Sequence, residues 1–327
     1  MARKALILMA TYNGEKYIQD QIQSIIDQSY RDWDLCISDD GSTDNTITII
    51  NNFRKLDSRI LPVLTDNRDH GSCTNFYHLL RYAKKHKEEY SFFLLSDQDD
   101  IWESDKIKLQ IEYCDSISSE NIPILVYTDL SIMNGDGIVS CRMSNIQEIE
   151  LKNPVNVFFN QIYVWGNTIL INNKLIDELN IPCSLKNSLS HDHYLAFFSA
   201  VFGRVVFLNK ALTRYRRYDS NVSAMPQKYS PSKVIKRIIL EPKKIVSDHA
   251  SNFNNILYFI REANRQNETS EALYECFLYG GIRAYKYVSN NHIRVGANKY
   301  NRIAKKIILY SRIYKLSKKF KSGKECS

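Results

Sequence analysis

At 327 residues and 38.1 kDa the chain can bury a large core and divide into about two domains. With 44% hydrophobic and 24% charged residues, and only 11 Gly and 7 Pro, it is excluded from the disordered, collagen-like and linker-dominated classes. The formal charge of +8 hides a division: residues 226–327 carry 21 Lys/Arg against 7 Asp/Glu, a net of +14, and residues 1–225 carry a net of −6.

Ala5–Ala10 reads as a buried strand, after which Ile18, Ile22, Ile25 and Ile26 recur at helical spacing. Leu35–Ser38 is a second strand, and the helix behind it takes Ser42 or Thr43 as cap with Asp44 in its first turn. Ile60–Leu64 is a third strand, and Phe76, Leu79, Leu80 and Ala83 mark a helix. Phe92–Ser96 is a strand, Ile107, Ile111 and Cys114 share a helix face, and Ile124–Tyr127 is another strand. This alternation predicts βαβ units: a mostly parallel sheet covered by helices, with ligands gathered at the carboxyl ends of the strands. Further on, Asn134–Gly137 is a turn and Val164–Ile171 a strand. Leu195, Phe198 and Phe202 define a helix ending at Gly203, and Val205–Leu208 is a strand. From Pro226 onward the chain reads as helical and basic, so the expected division is 1–225 and 226–327.

Seven scattered cysteines without a C-x-x-C pair indicate reduced thiols. The apolar run near the amino terminus is too short for a signal-peptide core, and no stretch of 18 apolar residues occurs, so a cytoplasmic protein is expected.

Three polar motifs fall at predicted strand ends. Asp97-Gln98-Asp99-Asp100 clusters like charges, which a hard divalent ion such as Mg²⁺ would offset together with substrate phosphates; an acidic turn capping the next helix is the plainer reading. Asp39 and Asp40 can accept hydrogen bonds from a base or ribose, Gly41 permits a tight turn, and the following helix N-terminus suits an anion. Thr11-Tyr12-Asn13-Gly14-Glu15 adds a hydroxyl, an aromatic face and an amide at the same edge. Later, three arginines at 214, 216 and 217 offer guanidinium groups able to clamp a diphosphate, with Arg214 and Arg217 expected to do so, although at least one of the three belongs to a solvated basic segment.

In this order and spacing the motifs resemble the family-2 inverting glycosyltransferases of the GT-A fold, over roughly residues 3–225. The resemblance implies a GT-A type α/β nucleotide-binding sheet, mostly parallel but mixed, flanked by helices and followed by a helical basic region. It implies a nucleotide pocket containing Thr11, Tyr12, Asn13 and Glu15, with Asp39 reading the base. Asp97 would approach the ribose and the metal, and Asp99 would ligate the ion, Mn²⁺ or Mg²⁺. The stretch Asn67–Asn75 looks like the family's N-x-G…N segment. Asp100-Ile101-Trp102 with Lys106 is similar to bacterial members that transfer rhamnose, where Trp102 either stacks on a sugar or lies in the core. Trp165 and Gly166 look like an acceptor-side strand. Asp192 falls where the family has an acidic residue, and its place near a helix N-terminus favours the ionised form that a general base needs. Successive residues on a helix point about 100° apart, so His191, Asp192 and His193 could hardly all face one ion, which disfavours a metal site that joins them to Asp97 and Asp99. Tyr218 stands where many relatives have a His, so no ligand is expected there.

The segment 296–322 reads as a basic amphipathic helix, with Ile303, Ile307, Tyr310 and Tyr314 at helical spacing. It would either lie on an anionic membrane surface or pack on the catalytic body. No nucleic-acid partner is expected, because no stacking-platform motif accompanies the basic residues. The expected function is transfer of a sugar, L-rhamnose from dTDP-L-rhamnose first, to a glycan acceptor on a lipid carrier, in an enzyme peripheral at the inner face of the membrane. Alternatives are a UDP-glucose or UDP-galactose donor and, in another class, a non-catalytic basic protein binding membranes or nucleic acid.

Overall fold

The computed structural model describes residues 3–65, 70–117, 121–133, 139–142, 155–156, 164–181, 190–217, 240–293 and 299–322. The expected turn at 134–137, Tyr163, Tyr218 and the prolines at 226 and 231 lie outside the described residues.

The chain begins β1 (Ala5–Thr11), α1 (Ile18–Ile26), β2 (Trp33–Asp39), α2 (Thr46–Leu56), α3 (Ser72–Lys85) and β3 (Phe92–Ser96). It continues with β4 (Ile101–Trp102), α4 (Lys106–Ile117), β5 (Ile124–Met133), β6 (Val139–Arg142), β7 (Ile169–Asn172) and α5 (Asn173–Glu178). Then follow α6 (His191–Phe202), β8 (Arg204–Arg216), α7 (Pro242–Glu262), α8 (Glu268–Tyr279), α9 (Gly281–Asn290) and α10 (Lys299–Ser311).

The strands form one mixed sheet in the order β2-β1-β3-β7-β5-β8-β4, with β6 paired to β5. β1 runs parallel to both β2 and β3, while β7 is antiparallel to β3 and to β5. Alternation along β1 shows how the sheet is covered. Leu6 and Leu8 join a core with Phe76 of α3 and Phe198 of α6, whereas Ala5, Ile7 and Met9 join Ile22 of α1 and Ile107 of α4 on the other face. Buried on both faces, β1 and β3 read as continuous apolar runs.

Three local readings differ. Ile60 and Leu64 form isolated bridges to β2 instead of a strand. Val164–Ile171 divides: Gly166–Thr168 is a 3₁₀ turn, and β7 starts at Ile169. α2 starts at Thr46, where Asp44 accepts from the Thr46 N–H and hydroxyl, so neither Ser42 nor Thr43 is the cap.

The C-terminal helices continue the core of α3 and α6. Phe259 of α7 lies 4.6 Å from Tyr194, and the Asn267 amide at the start of α8 donates to the Val201 carbonyl at 2.7 Å. The expected continuous helix ends at Ser311, where Arg312 adopts φ 65° and a 3₁₀ turn follows. Tyr314, which helical spacing groups with Ile303, Ile307 and Tyr310, is buried, and its hydroxyl donates to the Phe277 carbonyl at 2.6 Å. No helix among the described residues is long and apolar enough to cross a membrane.

Candidate active site

The parallel register brings Thr11 beside Asp39 and Met9 beside Ser96, so the loops after β2, β1 and β3 emerge side by side. Because β7 runs antiparallel, the turn that precedes it lies at the carboxyl end of β3. These loops and the start of α6 line a cavity of about 720 Å³. Strand order therefore sets the order of its walls: Asp40 and Gly41, then Thr11 and Tyr12, then Asp97 and Asp99, then Trp165 and Gly166 with His191 and Asp192.

Thr11, Tyr12, Asp40, Asp97, Asp99, Trp165, Gly166 and Asp192 all line the cavity, as the sequence predicts for a shared site. Asp39 does not. Its carboxylate is filled by the Thr11 hydroxyl at 2.7 Å, the Ser42 hydroxyl at 2.6 Å and the Gly41 and Ser42 N–H groups. Asp39 shapes the loop, and Asp40, which accepts from the Gly71 N–H at 2.7 Å, faces the cavity. Asn13 and Glu15 are likewise committed: Asn13 Oδ1 accepts from the Thr43 N–H, and Glu15 accepts from the Asn45 N–H and side-chain amide.

Trp102 is a correction. It is 3% exposed in the core beneath the sheet, with Lys106 Nζ 4.9 Å from its ring, and is not among the cavity-lining residues. Arg214 is another, since its guanidinium makes a bidentate pair with Glu103 at 2.7 and 2.9 Å. Arg217 is exposed just beyond β8 and is not among the cavity-lining residues. Arg216, only 4% exposed and likewise not among the cavity-lining residues, lies over Tyr17 and donates to the Asp99 carbonyl at 3.0 Å, bracing the loop that carries Asp99.

Further residues brace the walls. The Gln98 amide makes a reciprocal pair with the Tyr12 backbone, both bonds 2.9 Å, tying the loop after β1 to that after β3. Gly14 leaves room for this pair, because a Cβ there would meet Gln98 Oε1 at 2.3 Å and press on the amide. Beneath the turn Trp165–Thr168, buried Asp100 accepts from the Asn167 amide and from the Arg216 N–H. Buried Lys106 donates to the Asn167 carbonyl and the Thr213 hydroxyl, both at 3.0 Å.

The electrostatics separate the carboxylates. Burial, Asp99 and Asp192 push Asp97 up to about 7. Burial works against ionisation of Asp192 too, but His191, His193, the Ser190 hydroxyl and the His193 N–H outweigh it and hold this carboxyl below its usual range. Asp192 is therefore ionised at neutral pH, as a proton acceptor must be. Among the described residues no three His, Cys, Asp or Glu side chains converge into a protein-only metal cage. Two carboxylates facing one cavity nevertheless fit a hard divalent cation that completes its shell with phosphate oxygens and water.

The family model described as glycosyl transferase family 2 matches residues 6–121. Over 222 residues the chain is 30% identical to the dTDP-rhamnosyl transferase RfbG of Shigella flexneri, covering 65% of this chain and 72% of that one. It is 26% identical over 224 residues to the UDP-Glc:α-D-GlcNAc-diphosphoundecaprenol β-1,3-glucosyltransferase WfgD of Escherichia coli, covering 67% and 79%. The crystal structure of S. aureus TarS 1–349 with UDP-GlcNAc matches with a TM-score of 0.54 over 93% of this chain and 91% of that one, at 15% identity, a likeness of fold.

Proposed function

The chain belongs to glycosyl transferase family 2, and from that premise we propose an inverting, metal-dependent transferase that moves a sugar from a nucleotide donor to a glycan on a lipid carrier in bacterial surface polysaccharide synthesis. The observation that carries this reading is the single cavity in which Asp40, Asp97, Asp99 and Asp192 stand in succession. Asp40, Thr11 and Tyr12 hold the nucleoside; Asp40 takes over from Asp39 the reading of the base. Asp97 and Asp99 would hold Mn²⁺ or Mg²⁺, which when bound neutralises charge on the departing diphosphate. Trp165 and Gly166 receive the acceptor.

Asp192 accepts the proton of the acceptor hydroxyl as that oxygen attacks the anomeric carbon. The bond from this carbon to the diphosphate oxygen breaks on the opposite face, and its electron pair leaves with the nucleoside diphosphate. Configuration inverts because attack and departure are in line. The favoured donor is dTDP-L-rhamnose, supported by the 30% identity to a dTDP-rhamnosyl transferase. A UDP-hexose is the second reading, supported by the 26% identity to a glucosyltransferase that uses UDP-Glc. The basic C-terminal helices fit a peripheral position at the cytoplasmic face of the membrane, where the lipid-linked acceptor would be met.

Thermal-shift measurements against dTDP-, UDP- and GDP-sugars with Mn²⁺ test the donor, and stabilisation by dTDP-rhamnose alone is expected. Asp192→Asn should lose about 10²–10⁴-fold in turnover and still bind donor. Near-normal transfer by that variant refutes the base assignment, and transfer unaffected by EDTA refutes the metal role.

A further inference from the structure

His191 is the feature of the cavity that the reading above leaves without a task. It is 9% exposed, opens α6, and lines the cavity beside Asp192. Its ring is stacked on Phe76 at 3.9 Å between centroids with 22° between the planes, which fixes its orientation. Both ring nitrogens are buried, and among the described residues neither has a hydrogen-bond partner. Such groups weaken the fold unless something satisfies them. The local backbone also makes room for the ring: a Cβ at Gly166 would stand 2.6 Å from His191 Nε2, so the glycine lets the imidazole and the turn share this wall.

We propose that His191 binds a hydroxyl of the acceptor sugar and selects acceptors that carry it. A neutral imidazole offers one N–H donor and one lone pair, and a sugar hydroxyl is itself both donor and acceptor, so each can complete the other. Burial holds the ring's pKa down to about 4, so at neutral pH it carries no charge and is not a proton reservoir. The assignment to acceptor rather than donor follows from wall order. His191 abuts Gly166 in the turn before β7 and lines the wall with Trp165 and Asp192, whereas Asp40 follows β2, three strands away in the sheet order. The proposal rests on the reading of Asp192 as base, because that reading makes this end the acceptor side. A site built to pair a buried polar group rejects substrates lacking the matching hydroxyl more strongly than an apolar wall does.

The test uses the full chain with its best donor and octyl glycosides of rhamnose, glucose, galactose and N-acetylglucosamine, with single-deoxy analogues of the best acceptor. His191→Phe, which keeps the stack on Phe76, should raise the acceptor KM by roughly tenfold and leave the donor KM unchanged. His191→Gln, which retains a donor and an acceptor, should recover part of the loss. One deoxy analogue should be a poor acceptor for the native enzyme and should match its parent in the phenylalanine variant. Gly166→Ala should mimic His191→Phe by pressing on the ring and should add little to it in the double variant. An unchanged acceptor KM in both His191 variants, or a rise in donor KM instead, overturns the proposal. Asp192→Asn run alongside separates the two ideas: retained transfer there removes the base, whereas the His191 assignment stands or falls on acceptor KM and the deoxy series.

Discussion

At the scale of single residues, one carboxylate differs from the next by what fills it. Asp39 and Asp40 are adjacent and chemically identical, yet Asp39 spends both oxygens on its own loop while Asp40 faces the cavity. The motif was legible in the sequence; which of its members faces the cavity depends on partners brought from β1 and from the residues just before α3. His191 carries a titration that can be measured. Burial lowers its folded-state pKa from 6.5 to about 4, so between those values the unfolded chain binds a proton that the folded chain does not. Stability from this group is therefore full above pH 6.5 and is lost as pH falls toward 4. Urea unfolding should show the native protein losing on the order of 3 kcal/mol relative to His191→Phe between pH 7 and pH 4. Parallel curves for the two proteins would show that the ring titrates normally.

At the scale of elements, strand direction and pairing decide which of two similar residues reaches the site. Trp102 follows the acidic run Asp97–Asp100, and Trp165 precedes Gly166-Asn167-Thr168, so both neighbour polar, site-like sequence. β4 pairs with β8 and buries Trp102 among Ile107 and Met9, whereas the turn before β7 presents Trp165 to the cavity. Trp102→Ala should cost about 3–5 kcal/mol in chemical denaturation with acceptor KM unchanged at permissive temperature. Trp165→Ala should reverse that pattern, raising acceptor KM at nearly native stability. Equal effects on stability would return both residues to the core. The arginines of β8 repeat the lesson: Arg214 is drawn to Glu103, while Arg216 turns inward beneath Asp99. A run of three cations does not encode that choice, because it is set by Glu103 just after β4, the Asp99 carbonyl before it and Asp20 of α1.

At the scale of the molecule, the +14 region is not a detached tail, since its helices complete the core around α6. Removing residues 299–322 would strip buried Leu309 and Tyr314 from that core, so deletion is a poor probe of membrane binding. Ile303 and Ile307 are better targets, being 48% and 59% exposed on α10. The double substitution Ile303→Asp and Ile307→Asp should leave the melting temperature nearly unchanged. It should abolish flotation with phosphatidylglycerol vesicles, because it removes apolar surface and introduces anions. Flotation equal to that of the native protein would mean that this helix face does not meet lipid.

By itself the sequence determined the strand–helix alternation, the apolar runs of β1 and β3, the family and the loops that meet. Those features follow from local periodicity and from short motifs at strand ends, which the chain carries in neighbouring residues. Only the tertiary structure decided that Asp40 rather than Asp39 faces the cavity, that Trp102 lies in the core and Arg214 pairs with Glu103, and that Gln98 and Arg216 brace the loops while His191 lines the wall. Each of those choices depends on partners far apart in the chain, and hydrogen-bond satisfaction and burial between them are set by packing rather than by spacing.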